Sequence, residues 1–351
     1  MPLILSHMTA IRCWLSGCFD ASLGGPFIRP RHRPSGCVRI EQVASGFALD
    51  RLGISYGEAF AFGNLYPFDP LDYKPRARAV SELRRRLPLP PDEELHFLVP
   101  GKAAFNEIQH ATCHASSTPL PAGALVRVDG GLMVCSPEFA FLQVAKETPT
   151  KQLARIGSEL CALYRRAPDG SVTYGRVLPT TTKRALDAFL QRCKGREGVV
   201  AARKGLRYVV EAAASPMELG VAHALCLPPR MGGYGLPWPL LNYRVDVPKA
   251  KRSLVEKSYY LCDLFWPEAM LDLEYDSDQE HTGSTRIAAD SDRRNDLHVL
   301  GIEVVTATRE QVGSDAGLDR LARQIASQLG VRIRCERVQR QSREAGIRRV
   351  L

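Results

Sequence analysis

Apolar positions recur at strand and helix periods along most of the chain, and they are ordered most regularly in its second half. There, Ser215-Pro216-Met217-Glu218 joins an N-cap serine, a proline at the first helical position and an acid at the third, a strong helix start. Pro228, Pro229 and the glycines between 232 and 235 end that helix. Strands are predicted at Leu240–Val245, Ser258–Phe265 and Met270–Asp276. A helix over Thr285–Leu300, Gly301, a strand at Ile302–Thr306, a helix over Asp315–Leu329 and a short strand at Val331–Cys335 follow. The first half reads as a mixture. A short helix follows Ser6, from Thr9 to Leu15, and Gly17–Gly36 and Leu65–Arg78 read as loops. Strands are predicted at His96–Val99, Thr112–Ala115 and Ala124–Val128. Helices are predicted at Ser136–Glu147, Lys151–Tyr164, Lys183–Cys193 and Val199–Ala213, with a turn at Pro168-Asp169-Gly170. The pattern predicts a mixed α/β protein. Gly195 interrupts a charged segment between Lys194 and Val199, so the expected domains are 1–196 and 197–351.

Composition narrows this picture. A chain of 351 residues with 45% hydrophobic and 24% charged residues is globular, not disordered, fibrous or disulfide-stapled. No run approaches the roughly 18 apolar residues of a membrane helix. Met1–Phe19 lacks a basic residue ahead of its apolar core and is interrupted by His7 and Arg12, so it reads as folded structure. The ten cysteines are scattered without a CxxC pair, which fits buried thiols in a reducing cytoplasm.

The formal charge of +9 is less informative than its distribution. The tail carries Arg332, Arg334, Arg337, Arg340, Arg343, Arg348 and Arg349 against Glu336 and Glu344, whereas nine carboxylates fall within Pro267–Asp296. An acidic cluster followed by a basic arm suits metal ions and a phosphate backbone; two solvated surfaces would give the same pattern.

The stretch Tyr260–Asp276 carries the chemistry. Two apolar-rich strands flank a turn at Pro267–Ala269, so Asp263 falls opposite the neighbourhood of Leu273 and Glu274. The strand period of two puts Asp272, Glu274 and Asp276 on one face. Like charges gathered there repel, and a divalent cation such as Mg²⁺, which binds through one or two carboxylates, removes that cost. A half-exposed strand with a wet face is the alternative.

With Asp290-Ser291-Asp292-Arg293 on the following helix, then Gly301 and a closing strand, the second half resembles the PD-(D/E)XK nuclease fold, in the branch of very-short-patch-repair endonucleases. The matching positions are Glu218, Asp263, Glu274 with Asp276, His281, and Asp290 with Arg293, over roughly Val199–Gln328. The resemblance implies a restriction-endonuclease-like α-β-β-α-β core and hydrolysis of DNA phosphodiesters with Mg²⁺ or Mn²⁺. It implies Asp263 and Glu274 as metal ligands, Glu218 and Asp276 orienting metal or water, and His281 as general acid or base. Arg293, Arg332, Arg334, Arg337 and Arg340 are the expected contacts to nucleic acid. The chain departs from the pattern at Asp276, where the common E-x-K motif has lysine, and no lysine follows Lys257.

In the first half, Leu3-Ile4-Leu5-Ser6-His7-Met8-Thr9-Ala10, Leu95–Pro100 and Ser136–Phe141 resemble AbiEi-type antitoxins. That likeness implies an accessory or recognition domain and a cognate toxin protein as partner. It also supplies an alternative function, a catalytically inactive regulator that uses the nuclease fold as a binding scaffold.

Overall fold

A computed structural model of the chain describes residues 3–19, 77–90, 92–99, 108–116, 118–128, 132–175, 178–276 and 284–333. The protein is mixed α/β and divides into two compact units, Met1–Val209 and Val210–Leu351. Among the described residues no helix is long and apolar enough to cross a membrane.

The first unit is built on a five-stranded sheet. Its central strand β1 (Leu3–Leu5) is buried throughout and lies between β2 (Leu95–Val99) and β5 (Leu132–Cys135). β3 (Ala111–Ala115) flanks β2, and β4 (Leu125–Arg127) flanks β5. The pairing of β1 with β2 is antiparallel (Leu5↔Phe97), and with β5 it is parallel (Ile4↔Met133). Helix α1 (His7–Ser16) leaves β1 directly and ends where Gly17 adopts a left-handed φ of 70°. Its Trp14 is buried and donates to the Cys135 carbonyl at 2.8 Å, tying helix to sheet. Helix α2 (Ala77–Arg86) begins where a loop was expected.

Helices α3 (Pro137–Val144), α4 (Thr150–Leu160), α5 (Lys183–Arg192) and α6 (Val199–Leu206) complete the unit. The Pro168–Gly170 turn joins the short strands β6 (Arg165–Arg166) and β7 (Val172–Thr173). The boundary expected at 196/197 is corrected: the units divide after Val209. Val199, Ala202, Leu206 and Val209 enter the first unit's core. Gly205 lets α6 approach α4, because a Cβ there would meet the Leu153 side chain at 2.8 Å. The helix ends at Leu206 instead of Ala213, and Ala212 has a φ of 64°.

The first unit holds a histidine cluster on one side of its sheet. The His96 and His114 ring nitrogens are 2.8 Å apart, and the His7 ring stacks on His114 at 3.5 Å. Burial and then the neighbouring imidazoles lower His7 to about 3 and His114 to about 4. His96 is lowered by burial against the opposing pull of Glu94, Glu93 and Glu147. An unfolded imidazole titrates near 6.5, so the unfolded chain binds more protons below that pH. The first unit is therefore expected to lose stability as pH falls from about 6.5 toward 4. His7→Asn keeps a residue that tolerates the φ of 48° found at position 7 and should flatten the fall. Thermal melts at pH 7 and pH 5 check this, with about 2–4 °C expected per kcal/mol.

The second unit follows the predicted order closely. Helix α7 (Pro216–Cys226) is followed by β8 (Leu240–Asp246), β9 (Tyr259–Trp266) and β10 (Leu271–Asp276), then helix α8 (Ser284–Val299) and β11 (Glu303–Thr308). The sheet order is β11-β10-β9-β8. β8, β9 and β10 run antiparallel in turn, and α8 crosses over so that β11 lies parallel to β10. A short helix α9 (Arg309–Gly313), closed by a Thr308/Gln311 capping box, precedes α10 (Asp315–Gln328). No strand forms at Val331–Ile333, and the rest of that predicted strand lies outside the described residues.

Candidate functional site

The site is assembled on one side of the second sheet from α7, β9, β10 and α8. Its first carboxylate is Glu218, at the third position of α7. Ser215 caps the helix by accepting from the Glu218 amide at 3.1 Å. The Glu218 carboxylate turns back to accept from the Ala214 amide (2.9 Å) and from Asn242 Nδ2 on β8 (2.7 Å). Asn242 also donates to the Ala212 carbonyl at 3.0 Å and holds a φ of 47°. Burial raises Glu218 above the ordinary carboxylate range, against these hydrogen bonds.

The β9–β10 ladder runs from Leu271↔Trp266 through Asp272↔Phe265 to Leu273↔Leu264. It stops there, and the Tyr275 amide donates to the Asp263 carboxylate at 3.1 Å. Asp263 thus lies beside Glu274, as the hairpin spacing predicts. Burial first, then the Glu218 carboxylate, and further out Glu274, push Asp263 up to about 7, against the Tyr275 amide and Arg293.

Along β10, burial is graded from Asp272, which is 0% exposed, through half-buried Glu274 to exposed Asp276. Neither carboxylate oxygen of Asp272 meets a nitrogen or hydroxyl donor among the described residues; the Cys262 thiol, a weak donor, lies against it. Burial, Glu274 and Asp263 hold it well above the ordinary carboxylate range, and the neighbouring Cys262 thiol is pushed up in turn by burial and by this carboxylate.

One cation answers these four carboxylates. Arg293, reaching in from α8, donates through Nε to Glu274 at 2.8 Å and through Nη2 both to Glu274 and to the Leu261 carbonyl. Its guanidinium lies 6.0 Å from the centre of the Tyr260 ring, and the Tyr260 hydroxyl donates to Asp296 one helical turn further along α8. Arg293 was expected to contact nucleic acid; here its partner is Glu274. Asp290 is exposed on the same helix.

Of the residues expected to act, the structure gathers Glu218, Asp263 and Glu274, with Asp276 at the exposed end of the strand. His281, Arg334, Arg337 and Arg340 lie outside the described residues, and Arg332 is exposed beyond α10. Sequence reasoning put Asp272 on the right face without giving it a role, and it missed Asn242. The D-x-E-x-D alternation was the available signal for Asp272; nothing in the sequence marks Asn242.

The donor set is of the kind a hard cation takes: all the groups are carboxylates, and the two buried oxygens of Asp272 meet no nitrogen or hydroxyl donor among the described residues. Among the described residues no three His, Cys, Asp or Glu side chains gather as a ligand group. Any cation here would have to be held through no more than a pair of carboxylates, a mode that Mg²⁺ can use. Arg293 competes for Glu274.

Compared with curated proteins, the chain is similar to uncharacterized protein Rv2248 and uncharacterized protein MT2308, from two strains of Mycobacterium tuberculosis. It is 31% identical to each over 212 residues, which is 60% of this chain and 72% of each relative. The chain belongs to their family. No family model matches it, and no solved structure does. The relatives' names carry no activity, so the chemistry rests on the site.

Proposed function

We propose that the second unit is a Mg²⁺- or Mn²⁺-dependent DNA endonuclease. The observation that carries this reading is the set of four carboxylates, Glu218, Asp263, Asp272 and Glu274, brought together on an α-β-β-β-α-β frame with a single arginine. A bound divalent cation would supply charge stabilisation at the phosphate and a more acidic water. Asp263 and Glu274 would hold it, and Glu218, fixed by Ala214 and Asn242, would orient water beside them. Arg293 stands in for the missing lysine as a permanent positive charge, because a guanidinium does not give up its proton near neutral pH. Asp276, at the outer end of β10, would position water, and the proton transfer expected of His281 falls to a residue outside the described ones. Arg332, Arg334, Arg337 and Arg340 extend the contact along the phosphate backbone.

A reducing cytoplasm suits the protein, since all the cysteines among the described residues are free thiols. The experiment is a plasmid-nicking assay with purified full chain and Mg²⁺ or Mn²⁺. Nicking that follows the protein through purification and stops with chelator supports the reading.

A second reading has its own observation. The Arg293–Glu274 ion pair already neutralises one carboxylate, and Asp276 occupies the lysine position. Those features suit a non-catalytic regulator that binds DNA or a cognate toxin. Calorimetry with no heat of binding at millimolar Mg²⁺ would favour it.

A further inference from the structure

Outside that site, a polar concavity lies in the first unit, between α5 and α6. It is a cleft of about 560 Å³. One wall comes from α5 and the residues after it, where Lys183, Asp187, Gln191 and Lys194 follow at helical spacing and share a face. The other wall is α6 and its end, with Arg203, Leu206 and Arg207. Four cations thus face one carboxylate.

Two of the cations are fixed by backbone. Lys183 Nζ donates to the Val209 carbonyl at 2.8 Å, and Arg203 donates to the Leu190 carbonyl at 3.4 Å. Asp187 accepts from Gln191 Nε2 at 2.6 Å, so a neutral amide takes up part of the acid's capacity. Lys194, Arg203 and Arg207 have no carboxylate partner among the described residues. Gathering like charges is unfavourable by itself, and an anion removes the cost.

We propose that this cleft binds the phosphate backbone of duplex DNA, as a contact on the first unit separate from the carboxylate site. Its lining carries no aromatic ring, so it offers no platform for the unstacked bases of a single strand. Leu206 is its one apolar lining residue, which is too little for a small organic ligand. The two arginines suit phosphate oxygens through their planar forks. The proposal rests on the DNA reading of the second unit only in choosing DNA among polyanions.

The test is fluorescence anisotropy of the full chain with a short random-sequence duplex over a range of salt. Lys194→Gln, Arg203→Gln and Arg207→Gln combined should weaken binding at least about tenfold and make the slope of log K against log salt shallower by about 2 to 3. Asp187→Asn, which removes the one acid in the cleft, should tighten binding; a gain of affinity does not arise from misfolding. The anisotropy is read in chelator, where no cleavage occurs, and nicking is read separately with Mg²⁺, so failure of the active-site reading and failure of this one are distinguishable. An unchanged slope in the triple variant, with Asp187→Asn also silent, would overturn the proposal. So would a preference for a single strand over the duplex that depends on these same three residues.

Discussion

Asp263→Asn and Glu274→Gln are each expected to lower DNA nicking by at least about 10²-fold, the scale on which one charge-stabilising group acts. Both changes keep side-chain shape and remove a negative charge, so the frame should survive. Asp263→Asn retains an oxygen for the Tyr275 amide, now 3.1 Å from the carboxylate. Glu274→Gln keeps an acceptor for Arg293 but weakens a charge-assisted pair that lies three-quarters buried. The measurement is the initial nicking rate at saturating Mg²⁺, with circular dichroism as a check on folding. Nicking unchanged in both variants would remove the assignment.

Asp272→Val is expected to move stability and activity in opposite directions. The carboxylate is fully buried and has only the weak Cys262 thiol against it, with no nitrogen or hydroxyl donor among the described residues, a cost of about 1–3 kcal/mol for such a group. Valine suits a buried strand and carries no polar atom. At pH 8 without divalent cation, the variant should be the more stable by about that amount, and it should nick less. The sign of the pH effect follows from the carboxyl pKa. Burial and neighbouring carboxylates hold Asp272 and Asp263 above the ordinary value of 3.8, with Asp263 at about 7. Their contribution is fully present below the unfolded value and is lost as pH rises through the folded one. The second unit should therefore weaken between about pH 4 and pH 7 and beyond, and Asp272→Val should reduce that slope. This trend is opposite to the one expected from the histidines of the first unit, so a melt in cation-free buffer should separate into two transitions at the pH extremes.

Much of the second unit was legible because its signals are local. The capped start at Ser215-Pro216, the turn at Pro267–Ala269 and the glycine at 301 each act within a few residues, and they placed α7, the β9–β10 hairpin and β11 closely. The first unit hid its centre. β1 and β5 are three- and four-residue runs buried along their whole length, so they show no alternation to read. Helix α2 falls next to a proline-rich segment and is dominated by arginine. The boundary was misplaced because Gly195 reads as a linker, whereas the apolar face of Val199, Ala202 and Leu206 that follows is spent on the first unit's core.

At the site, period two located the acidic face, but two facts needed three dimensions. Arg293 selects Glu274 across 19 residues, and Asn242 donates its amide to Glu218 from a left-handed backbone. No residue pattern announces either contact.

The central claim is that these carboxylates hold a divalent cation that drives phosphodiester cleavage. A Mg²⁺ titration followed in parallel by calorimetry and by plasmid nicking, on the full chain and on Asp263→Asn, tests it most directly. A binding heat and a nicking rate are expected to rise together in the native chain and both to be absent in the variant. Nicking without metal, or metal binding and nicking that persist in Asp263→Asn, would contradict it.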